Sequence, residues 1–207
     1  MQQNLEQGLK TGTTTVGLIA ANAVVLAADQ RATMGHLASE EDFKKLYKIT
    51  DNLGVSIAGA VGDALTLVRF LRSQAKLYEI ERETKITGKA LSTFLSNILH
   101  ANRFYPFIAQ FILASYNSEP ELYTIAPYGD VIQKKDYTVS GSGTEFALTV
   151  FDQGYKKGLS TQEAVDLAIR AVKAAKRRDV MSGGLAVNVL IATKDGIQEQ
   201  VIEEKRA

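Results

Sequence analysis

Short β-rich runs joined by turns of a few residues constrain this chain most. From Thr14 it reads Thr-Val-Gly-Leu-Ile-Ala-Ala, pauses at Asn22 and resumes as Val24-Val25-Leu26-Ala27-Ala28. Two β-rich runs that close together form a hairpin. A loop through Gly35 and Ser39 to Asp42 leads to a strand over 44–50, the turn Asp51-Asn52-Leu53-Gly54 and a strand over 55–61. The pattern then changes period. Leu67, Leu71, Leu77 and Ile80 predict a helix over 64–83 with Asp63 as its N-cap. Leu91, Phe94, Leu95, Ile98 and Leu99 predict a second over 87–102, and Pro106 ends that region. Strands follow over 107–116, 122–126 and 131–139, then the loop Ser140-Gly141-Ser142-Gly143 and a helix over 144–157. Ser160-Thr161-Gln162-Glu163 is a capping box opening a helix rich in alanine. A strand over 186–192, the hairpin signal Asp195-Gly196 and a strand over 197–203 complete the chain.

Strands in hairpins imply antiparallel sheets, and paired amphipathic helices need a sheet face to cover. Two stacked sheets with a helix layer outside each satisfy this α+β order, and so does an open α+β sheet. The 207 residues suit one domain with a substantial core. Charge is balanced, 24 Lys+Arg against 23 Asp+Glu, which gives no electrostatic reason for a nucleic-acid or acidic-membrane partner. The run from Lys173 to Arg178 reads as a solvated helix end. With no cysteine and two histidines, His36 and His100, there is no thiolate nucleophile and little material for a zinc site or a Ser-His-Asp triad. The polar leader 1–12 lacks the apolar core of a secretory signal, and no run approaches the ~20 apolar residues of a membrane span.

Polar residues stand at strand ends and in glycine loops: Thr13, Asp29, Arg31, Lys45, Gly59, Ser142, Asp179 and Ser182. Each alone has a plain structural explanation, as a strand threonine, an ion pair, a surface lysine or a turn residue. Together they form an ordered set. Gly12-Thr13-Thr14-Thr15-Val16-Gly17, Asp29 with Arg31, Lys45, Ala58-Gly59-Ala60-Val61-Gly62-Asp63, Ser140-Gly141-Ser142-Gly143, and Arg178-Asp179 before Ser182-Gly183-Gly184 resemble the 20S proteasome β-subunits of archaeal type. The resemblance runs from Gly12 to about Ala192.

It implies the four-layer αββα sandwich of the N-terminal nucleophile hydrolases. A propeptide over 1–12 would be removed by self-cleavage at Gly12-Thr13, leaving one catalytic domain over 13–207. Thr13 would be the nucleophile and its freed α-amine, with an intrinsic pKa of about 7.7–8.0, the general base. Lys45 would stand beside Thr13 with Asp29 as its carboxylate partner, the N–H of Gly59 would donate to the oxyanion, and Ser142, Asp179 and Ser182 would hold the amine. Ala32, Thr33, Phe43, Tyr47, Ile57, Val61 and Leu65 would surround the pocket for the residue before the cut. Their mostly apolar character predicts cleavage after large hydrophobic residues. The resemblance implies no cofactor or metal, a cytoplasmic location and unfolded polypeptide as substrate. It also implies partners: other β-subunits in a seven-membered ring, α-subunit rings and, indirectly, a regulatory ATPase. The rival expectation is a β-subunit that keeps its leader and is a silent ring member. A bacterial two-ring relative would be shorter over 64–102, and a small-molecule amidase of the same fold fits the Lys45 and Ser-Gly-Ser-Gly context poorly.

Overall fold

The computed structural model describes residues 12–203. The expected propeptide, apart from Gly12, lies outside those residues. Strands β1 (Thr14–Ile19), β2 (Ala23–Ala28), β10 (Tyr137–Gly141), β11 (Ala186–Thr193) and β12 (Gly196–Glu203) form one sheet in the order β10-β1-β2-β11-β12. Strands β5 (Leu46–Lys48), β6 (Leu53–Gly59), β7 (Ala109–Tyr116), β8 (Pro120–Ile125) and β9 (Val131–Lys134) form the second in chain order, and every pairing is antiparallel. Helices α1 (Val61–Arg82) and α2 (Gly88–Ala101) pack on the second sheet, and α3 (Thr144–Gly154) and α4 (Thr161–Arg178) on the first.

Period-two alternation shows how the layers are held. In β2 all six residues are buried. Ala23, Val25 and Ala27 face α3 and α4 with Phe151, Leu167 and Ala171, whereas Val24, Leu26 and Ala28 face the other sheet with Ile112, Ala114 and Leu122. In β7, likewise, Phe111 and Leu113 face the helices and Ile112 and Ala114 the facing sheet. Strands covered on both faces become continuous apolar runs. Full burial of one such large side chain contributes about 1.5–3 kcal/mol. The result is a four-layer αββα sandwich. Four of the five alanines of α4, Ala164, Ala168, Ala171 and Ala175, are buried and let that helix lie close against the sheet. Its start carries the expected capping box: Ser160 accepts from the Glu163 N–H, and Glu163 accepts in return from Ser160.

Several expected elements differ. The single strand over 131–139 is two, β9 and β10, at the edges of different sheets. The chain crosses between sheets at Lys135-Asp136, where no glycine or proline marks the change of direction. The loop after Arg31 contains a hairpin, β3 (Ala32–Met34) with β4 (Leu37–Glu40). Helix α1 begins at Val61, with Ala60 as an N-cap lacking a side-chain bond. Asp63 therefore lies in the first turn, and its carboxylate accepts the Ile108 N–H at 2.8 Å. Helix α3 ends at Gly154, short of 157.

Candidate active site

Antiparallel register within the first sheet, and its stacking on the second, gather the polar residues. Thr15 pairs with Ala28 and Thr14 with Gly141, so the start of β1 adjoins the ends of both β2 and β10. Asn188 pairs with Ala28, which brings the loop preceding β11 to the same place. The second sheet supplies the start of β5 and the end of β6. Thr13, Asp29, Lys45, Gly59, Ser142 and Ser182 thus come from strand ends and adjoining loops at one edge of the sandwich.

Asp29 and Lys45 form its charged heart. The Asp29 side chain is fully buried and that of Lys45 is 2% exposed, with Lys45 Nζ 2.6 Å from Asp29 Oδ1. That oxygen also accepts the Thr14 N–H at 2.9 Å, while Oδ2 accepts the N–H of Gly183 at 2.9 Å and of Arg31 at 3.3 Å. A buried carboxylate is tolerated when its lone pairs are satisfied in this way. Burial pushes the Lys45 ammonium below the ordinary lysine pKa, against the opposing pull of Asp29. Arg31 closes the site on the outside, donating to Glu41 and to the Val180 carbonyl.

A second network is built of hydroxyls. Ser142 Oγ donates to Asp179 Oδ2 at 2.6 Å and accepts the Thr13 N–H at 3.1 Å. Ser182 Oγ donates to the same carboxylate oxygen at 2.6 Å. A hydroxyl has one proton, so Thr14 Oγ1, 2.6 Å from Ser182 Oγ, is the donor in that contact. The Ser-Gly-Ser-Gly loop approaches this closely because Gly141, at φ +99°, has no side chain: a Cβ there would collide with the Thr13 carbonyl.

Thr13 is buried, and its hydroxyl donates to the Gly12 carbonyl oxygen at 2.6 Å. Gly12 in turn donates its N–H to Thr33 Oγ1 at 2.7 Å. A Cβ on Gly12 would overlap Met181, so this position admits no larger residue in the present backbone. Beside the Gly12-Thr13 bond lies a cavity of about 20 Å³, the space of one water-sized sphere. Thr13, Lys45 and Gly59 line it with Ala32, Thr33, Phe43, Ile57 and Val61. Ala58, which was not among the expected pocket residues, lines it too. Tyr47 and Leu65 are not in the lining. They pack against the core between the second sheet and its helices, and Tyr47 donates to the Lys44 carbonyl. Tyr47 lies two residues beyond Lys45 on the same strand face, about 6–7 Å further along the chain, and there it meets Arg72 of α1 instead of the cavity.

Stacked antiparallel sheets between helix layers, with a threonine entering the first strand, define the N-terminal nucleophile hydrolase architecture. The family described as "Proteasome subunit" matches residues 9–191. Proteasome subunit beta 1 of Pyrococcus furiosus is 44% identical over 93% of this chain and 98% of its own length. Proteasome subunits beta 1 and beta 2 of Thermococcus kodakarensis are 43% and 41% identical, each over 95% of this chain and over 96% and 98% of their own lengths. The chain belongs to the proteasome family and is a β-subunit of archaeal type.

Proposed function

We propose that this subunit is a threonine peptidase of the proteasome core and acts once the Gly12-Thr13 bond is cut. The contact carrying this reading is the Thr13 hydroxyl at the Gly12 carbonyl, with the Thr13 N–H bonded to Ser142 and Lys45 and Gly59 lining the same cavity. In the uncut chain the nitrogen of Thr13 is an amide with no basic lone pair. Attack of Thr13 Oγ on the Gly12 carbonyl carbon, with transfer of that carbonyl from nitrogen to oxygen, gives an ester. The nitrogen takes up the hydroxyl's proton as its bond to the Gly12 carbonyl carbon breaks and becomes the free Thr13 amine, and water then hydrolyses the ester to the Gly12 carboxylate and the free Thr13 hydroxyl. In the mature subunit this amine takes the Thr13 hydroxyl proton as Oγ attacks a peptide carbonyl, then gives it to the departing peptide nitrogen as the C–N bond breaks, and water hydrolyses the resulting acyl-enzyme ester. Lys45 disfavours protonation of the amine, the Gly59 N–H donates to the oxyanion, and the Ser142–Asp179–Ser182 network holds and relays the proton.

Residues 1–12 are the propeptide and 13–207 the catalytic domain in this reading. The subunit assembles with other proteasome subunits. We place it in a seven-membered β-ring beside α-rings in the cytoplasm, fed by a regulatory ATPase with unfolded polypeptide. Phe43, Ile57 and Val61 favour a large hydrophobic residue before the cut. Thr13→Ala in a chain beginning at residue 13 abolishes peptidase activity, and retained activity refutes the assignment. One observation supports the silent alternative: two differently named β-subunits of one organism match this chain almost equally. Mass spectrometry of the assembled particle separates the two, a start at Thr13 supporting the peptidase and an intact leader the silent member.

A further inference from the structure

Strand β6 ends at Gly59, whose φ of +111° turns the chain out of the sheet. On the β5 side the last rung is the Ile57 N–H to the Lys45 carbonyl, so the Gly59 N–H, two residues on, lies beyond β5 on the cavity side. A strand end open on one side and paired only with β7 on the other is a soft place for an oxyanion donor, whose value depends on being held in position beforehand. The holding group is the peptide of Ile108. Its carbonyl accepts the Ala60 N–H at 2.6 Å and occupies the space where a Cβ on Gly59 would lie. Ile108 precedes β7 at the end of an irregular segment, and Ile108 itself and the nearby Phe104 and Tyr105 are exposed. The peptide before it, between Phe107 and Ile108, is fixed by Asp63 Oδ2, which accepts the Ile108 N–H at 2.8 Å and so holds Ile108 from its N-terminal side.

The geometry points to Asp63 as a positioning residue for the Gly59 oxyanion donor, an inference that rests on the peptidase reading above. Asp63 touches no substrate. Its carboxylate fixes Ile108, and Ile108 fixes Gly59-Ala60. This explains why Asp63 sits in the first turn of α1 with no capping role: from N-cap it would satisfy its own helix, whereas from the first turn it reaches across to the strand opposite.

The test is kinetic, on the full chain in its native assembly, with a fluorogenic peptide ending in a large hydrophobic residue. Active sites are counted by titration with an irreversible inhibitor. Asp63→Ala lowers kcat per titrated site about tenfold, a fraction of the 10²–10³ for losing an oxyanion donor outright, while KM stays within about twofold. Asp63→Asn, which keeps an acceptor for the Ile108 N–H, restores most of that loss. Amide exchange in a peptide covering 57–62 quickens in Asp63→Ala and not in Asp63→Asn. An unchanged kcat per site, a loss confined to the number of sites, or unchanged exchange overturns the inference. If the assembled wild-type protein has no titratable threonine, the peptidase reading falls and this inference with it. An active wild type with an indifferent Asp63→Ala removes the inference alone.

Discussion

The two carboxylates beside Thr13 are built oppositely. Asp29 is sealed in and its acceptor sites are filled by three backbone N–H groups and one ammonium, donors with nowhere else to go. Asp179 is half-buried, and the donors to its side chain include two serine hydroxyls, each of which can rotate about its C–O bond. The first carboxylate is an anchor tying β1, β5 and the Gly183 loop into one piece. The second is one end of a movable hydrogen-bond chain that reaches Thr13 through Ser142 and Thr14 through Ser182. Buried charge gives rigidity, and a half-buried carboxylate held by hydroxyls gives somewhere for a proton to go.

Breaking the anchor has the largest expected effect. Asp29→Ala leaves Lys45 buried without its partner and orphans three N–H groups, a loss of about 3–5 kcal/mol. Thermal unfolding then shifts down by roughly 6–20 °C for a domain of this size. A shift as small as that of Asp179→Ala would erase the distinction between the two carboxylates. Breaking the relay acts on rate instead. Ser142→Ala lowers kcat by about 10² with unfolding little changed, and an equal fall in stability would make Ser142 an anchor as well.

A pH profile sharpens the contrast. Lys45 has a lowered pKa, so its positive charge is present at low pH and is lost as pH rises through a value below the ordinary lysine range. The same shift means the unfolded chain binds more protons in that window, so this lysine's share of stability grows with pH there. Peptidase activity should therefore fall on the alkaline side before the usual lysine value of about 10.4, while stability does not fall with it. An alkaline limb at or above that value separates activity from the Lys45 charge. The smallest effect lies far from both carboxylates. Ser160→Ala removes the cap of α4 and costs about 1 kcal/mol in unfolding with kcat unchanged. A changed kcat would mean that α4, which ends at Arg178 just before Asp179, passes strain from its start into the relay.

Local chemistry made much of this legible. The Ser160 capping box, the Asp195-Gly196 hairpin and the β1–β2 hairpin depend on residues a few positions apart, and all three are present. The expected site residues meet as well, because antiparallel register converts residues at strand ends into neighbours. Most misses have one physical origin. The crossing at Lys135-Asp136 and the role of Asp63 are settled by partners distant in sequence, the edge of another sheet and Ile108. Tyr47 and Leu65 belong with them, since each was placed by its position in the chain and the packing of α1 on β5 and β6 gives it another neighbour. The β3–β4 hairpin is local, but its register shift and fully exposed β4 leave no apolar alternation to mark it.

The sequence by itself determined the four helices, most of the strands between them and the set of polar groups available for chemistry. Periodicity, caps and turns are local, and residue types do not depend on the fold. Only the tertiary structure decided which carboxylate is sealed and which is solvated, and that Gly59 is held from Asp63 through Ile108. Burial and hydrogen-bond partnership are properties of what lies across the gap between layers.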